Sequence, residues 1–131
     1  MTTNDFVLSE IHELLALQRV LMEARYCEIP SDTAISASPI VADMHRKVLD
    51  AIIAANLPAG LSPSNWEKWL VMDESRREWD IALTRASQYY AWNRSSDEEK
   101  RSFALCLFSP FKVSEELLSN FLLRVDEMAS E

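Results

Sequence analysis

The sequence predicts an all-α fold: a compact single domain of five to six amphipathic helices with no sheet. Three observations carry that prediction. Apolar residues recur at steps of three and four along most of the chain, the period of a helix with one buried face. Glycine occurs once, at Gly60, whereas sheets with tight hairpins spend several glycines on positive-φ positions. No segment alternates apolar with polar residues between turn dipeptides, as a half-buried strand would. With 131 residues, 48% apolar and 26% charged, residues 1–131 suffice for one domain with its own core.

The first helix is expected over residues 5–27, capped by Thr3 or Asn4, with Asp5 at the positive end of the macrodipole. Its apolar set is Val7, Leu8, Ile11, Leu14, Leu15, Leu21 and Met22, and Pro30 bars continuation. Ser31 to Ser38, polar and short-chained, reads as a loop. Ser38-Pro39 is a helix start, with Ser as N-cap and Pro at the first helical position. The helix so opened spans residues 39–55 through the stripe Val41, Met44, Val48, Ile52 and Ala55, with Asp43 and Lys47 paired at i,i+4. Asn56 and Pro58 end it. Ser62-Pro63 repeats the start signal for a helix over 63–71 carrying Trp66, Trp69 and Leu70. A fourth, over 74–93, has the stripe Trp79, Ala82, Leu83, Ala86 and Tyr90; whether the chain runs straight through Val71–Glu74 is open. Ser96-Asp97-Glu98-Glu99 is a capping box that opens a helix over 97–109 through Phe103, Ala104, Leu107 and Phe108. Ser114 opens the last, over 114–128, with Leu118, Phe121, Leu122 and Val125 inward.

Little in this pattern carries chemistry. His12 and His45 lack the i,i+3 and i,i+4 partners that place two metal ligands on one helix face, so both are expected at or near the surface. Cys27 and Cys106 match no zinc or redox spacing and read as buried free thiols. The acidic clusters fall in first helical turns, where the macrodipole accounts for them. A single glycine excludes a Gly-rich phosphate loop, and there is no GxSxG elbow. No catalytic residue, metal or cofactor is therefore expected.

The formal net charge of −8 opposes nucleic-acid backbones and anionic membranes, and no apolar run reaches the length of a membrane span. No basic stretch precedes an apolar core near residue 1, so a cytoplasmic protein without a signal peptide is expected.

What remains is aromatic. All four tryptophans lie between residues 66 and 92, with Tyr89 and Tyr90 beside them. On a helical wheel Ile81, Arg85 and Trp92 fall nearly opposite Trp79, Leu83 and Ala86. A helix apolar on two sides is either central in the bundle or bears an exposed patch. In the second case Ile81, Arg85, Tyr89 and Trp92 form a partner-binding stripe, with Arg85 able to stack on Tyr89 or Trp92. Glu78, Asp97, Glu98 and Glu99 would then supply an acidic rim that steers a basic protein partner. The expected function is a small acidic helical protein that docks on a macromolecular partner and neutralises it, of the immunity-protein, antitoxin or phage-inhibitor type. The alternatives are a self-associating structural or chaperone-like protein, with the same stripe forming a homodimer, and, behind it, a helical enzyme or cofactor binder.

Overall fold

Helix α1 (Ile11–Arg25) opens where Glu10 folds its carboxylate over the amides of His12 and Glu13, at 3.0 and 3.2 Å. That cap halts the helix six residues short of the expected start, because the amides that would continue it backwards are already satisfied. Phe6 and Val7 consequently stand in solvent and not in the core, while Leu8 still packs on it. The structure, a computed structural model, describes residues 5–29, 32, 34–56 and 67–130. The expected caps Thr3 and Asn4, the breakers Pro30 and Pro58, Gly60, and the Ser62-Pro63 start with Trp66 lie outside them.

Part of the expected loop before Ser38 is a single helical turn, α2 (Ala34–Ala37), whose first amide is held by Asp32 Oδ1 at 2.9 Å. Ser38 then caps α3 (Pro39–Asn56), its hydroxyl accepting from the Val41 amide, as the Ser-Pro signal predicts. The inward face of α3 is turned relative to the expected stripe. Ala42, His45, Val48, Leu49 and Ile52 are buried, whereas Met44 and Ala55 are exposed. The rotation has a polar cause: His45 is drawn inside by partners on α1.

Residues 67–69 are helical, and the chain then breaks. Val71 pairs with Lys112 in an isolated parallel bridge, with Met72 N–H donating to the Lys112 carbonyl at 2.9 Å and Lys112 N–H to that of Leu70 at 2.7 Å. Among the described residues there is no other β contact and no strand. Asp73 holds the Ser75 amide in a local turn, so the helices either side of Val71–Glu74 are separate.

Helix α4 (Arg77–Ser87) is much shorter than the 74–93 its periodicity suggests. Thr84, Ser87, Tyr89 and Tyr90 are weak helix formers, and the Thr84 and Ser87 hydroxyls donate to backbone carbonyls near its end. The chain turns at Gln88–Ala91 and enters a 3₁₀ turn, Trp92–Arg94. Helix α5 (Asp97–Phe108) has both halves of its capping box formed, and α6 (Glu115–Ala129) is capped by Ser114 on the Leu117 amide.

Two apolar clusters result. Leu14, Leu21, Val48, Leu49 and Ile52 join α1 to α3. The larger unites α4, α5 and α6, where Trp79, Phe108 and Phe121 meet with ring centroids 4.6–5.6 Å apart. Trp69 packs on both.

Candidate functional site

The early end of α4 redirects the residues expected to form a partner-binding stripe. Ile81 is 6% exposed and Trp92 1%, so both are core, and α4 is a central helix over that stretch. Trp92 stands beyond the helix end in the 3₁₀ turn, inside the larger cluster, where its indole N–H donates to Asp126 Oδ1 at 2.8 Å. Lys100 completes that contact, 2.9 Å from the same oxygen and 5.3 Å from the indole centroid. Arg85 is half-buried and stacks on neither expected ring; it donates to the Cys27 carbonyl. Glu78 pairs with Arg76 at the far end of α4.

Four of the expected residues, Arg85, Tyr89, Glu98 and Glu99, meet in one place nonetheless. Tyr89 lies parallel to Phe103 of α5, with centroids 4.5 Å and planes 8° apart. This pair floors a groove between α2, the end of α4 and α5. One stretch of it, about 400 Å³, runs past Ala34, Gln88, Arg85 and Tyr90. The other, about 460 Å³, is lined by Pro39, Ser102, Cys106, Glu98 and Glu99. The stretches share Ala37, Tyr89 and Phe103. Tyr90, expected in the core, instead stands 83% exposed on the lip, edge-on to Tyr89 and covered on one side by the Arg94 guanidinium. Phe103 sits edge-on to buried Trp92, which ties the floor to the core.

The carboxylates at the α5 end differ in freedom. Glu99 accepts from the Ser96 amide at 2.9 Å, and that bond holds it below the usual carboxylate range. Asp97 and Glu98 are exposed and enter no ion pair among the described residues. Burial pushes the Cys106 thiol up, which keeps it protonated and poorly nucleophilic at neutral pH.

A second polar constellation escaped the sequence reading. His45, expected near the surface, is 0% exposed. Its Nδ1 accepts from Arg25 Nη1 at 2.9 Å, and its Nε2 donates to Gln18 Oε1 at 2.5 Å. Arg25, itself 1% exposed, donates onward to the carbonyls of Cys106, Leu107 and Ser109 at the end of α5, and the Tyr26 hydroxyl donates to Leu107. Burial and the adjacent guanidinium push His45 down to about 3, and burial lowers Arg25 and raises Tyr26. His45 is thus a neutral acceptor at any ordinary pH. With most of their polar atoms spent on one another and on helix-end carbonyls, Arg25 Nε excepted, these residues form a clamp between α1, α3 and α5.

Among the described residues no three His, Cys, Asp or Glu side chains are placed to hold a metal ion, and no helix is long and apolar enough to cross a membrane. No family model, curated protein or solved structure matches the chain.

Proposed function

We propose that the chain is a small acidic binding protein that docks on a basic macromolecular partner and neutralises it by covering its working surface, as immunity proteins and antitoxins do. The observation that supports this reading is the groove: an aromatic floor with exposed Tyr90 on its lip and, in its lining, Glu98, which enters no ion pair among the described residues. Aromatic side chains anchored from below, next to polar rims, are the usual centres of binding energy. The excess of carboxylates over the whole chain, net charge −8, draws a basic partner and speeds the encounter.

Co-purification tests the reading. The tagged chain, recovered from its source cells at low and moderate salt, is expected to retain a basic protein, and Tyr90→Ala to weaken that complex about tenfold. Emergence of the chain alone at every salt concentration would overturn it. So would a dimer in sedimentation runs that persists on dilution and loses stability on Tyr90→Ala, since the groove would then serve self-association.

A further inference from the structure

Resting on that reading, we propose that the groove receives a single arginine side chain of the partner, its stem on the Tyr89–Phe103 floor and its guanidinium at Glu98. The lining of the groove suits both halves of that side chain. Ala37, Tyr89 and Phe103 offer apolar surface, and the Glu98 carboxylate and the Ser102 hydroxyl line the same stretch. A long aliphatic stem carrying a terminal cation satisfies both halves at once. A wholly apolar occupant would desolvate Glu98 without a partner, and an anionic one would be repelled.

The cations near Glu98 in sequence are all engaged elsewhere. Lys100 is bound to Asp126, Arg101 to Glu115, Arg94 lies over the Tyr90 ring, and Arg85 is held by the Cys27 carbonyl. Glu99 is spent on the α5 cap. Glu98, favoured by the helix start but held by no cation among the described residues, is left as the groove's own available carboxylate. Arginine suits it better than lysine, because a planar guanidinium lies flat along aromatic edges while meeting a carboxylate through two N–H groups.

A fluorescent octa-arginine peptide and an octa-lysine peptide of equal length serve as probes in anisotropy titrations at about 0.1 M salt, where charges beyond about 10 Å are screened. Glu98→Gln is expected to weaken octa-arginine binding at least about fivefold. The charge-matched change Glu13→Gln, on the exposed face of α1, should alter it less than about twofold. Octa-lysine should bind more weakly than octa-arginine to the native chain and lose less on Glu98→Gln. Equal losses for Glu98→Gln and Glu13→Gln would overturn the inference, leaving only diffuse charge, and so would no preference for arginine. Both variants replace exposed side chains, and an unchanged thermal midpoint verifies their folding. A partner retained equally by native and Glu98→Gln chains would sink this inference while leaving the binding reading intact.

Discussion

At Arg25 a guanidinium lies 1% exposed, and no carboxylate among the described residues pairs with it. Its charge is met instead by the carbonyl end of α5, where the helix dipole is negative, and by the lone pair of a neutral imidazole. Removing it strands the Cys106 and Ser109 carbonyls and the His45 acceptor at once, while Leu107 keeps the Tyr26 hydroxyl. Arg25→Ala should cost about 3–5 kcal/mol in urea unfolding, and Arg25→Lys a large part of that, because an ammonium cannot span the fork of acceptors. His45 gives a pH dependence whose sign follows from its lowered pKa. The unfolded chain takes up the proton near 6.5 and the folded one only near 3. Stability from this group is therefore whole above pH 6.5 and falls by up to about 1.4 kcal/mol per unit as pH drops toward 3. Unfolding titrations between pH 7 and 5 should show that slope in the native chain and lose it in His45→Gln; a native chain flat over that range would refute the buried neutral imidazole. The carboxylates with lowered pKa values act only further down, below their ordinary range near 4.

Among the elements, those bounded by local chemistry were legible in the sequence. Ser38-Pro39, the Ser96–Glu99 box and Ser114 satisfy helix-end amides within three residues, so α3, α5 and α6 start where expected. Ser96→Ala should cost about 1 kcal/mol and lower the thermal midpoint by a few degrees. Boundaries decided at long range were not legible. The end of α4 is only partly local: weak helix formers lead up to it, and Trp92 then finds Asp126 34 positions away, which no local pattern announces. Trp92→Phe, which keeps a ring but loses that donor, should cost about 1–2 kcal/mol, and Trp92→Ala about 3–5. Tyr90→Ala should move stability by less than about 0.5 kcal/mol. The turned inward face of α3, and the polar members of the α1 face beside its expected apolar ones, have a related reason. Gln18, Arg25 and His45 occupy core positions on the helical period, but a hydropathy count discards them as polar. Their complementarity appears only once the helices are packed. Of the candidate site, the sequence pattern points to Tyr89, Arg85, Glu98 and Glu99; it places Phe103 in the core, and it places Tyr90 there too because the periodicity extends α4 past Ser87.

The molecule as a whole is two apolar clusters, one small around α1 and α3 and one large around α4, α5 and α6. Trp69, with contacts on both sides, and the Arg25 clamp bridge them. The outer surface carries the charge: ion pairs such as Arg46 with Asp43 and Asp50, or Arg124 with Glu127, are exposed and individually worth little. The surplus acid acts at a distance. Association with a basic partner should slow by about tenfold or more between about 0.05 and 0.5 M salt, while dissociation changes little, as stopped-flow mixing can resolve. Salt-independent association would remove the steering role.

The clamp on the end of α5 also bears on how the fold opens. A free helix end exchanges its amide hydrogens readily, because the last turn frays. Here that turn is fastened by Arg25 and Tyr26 from the far end of α1. Amides of the closing turn of α5 can reach solvent only when α1 lifts away, so deuterium uptake at Leu107 and Phe108 should keep pace with that of Leu21 and Met22. The two clusters would then open together, and isotope labelling would report one cooperative unit in place of two.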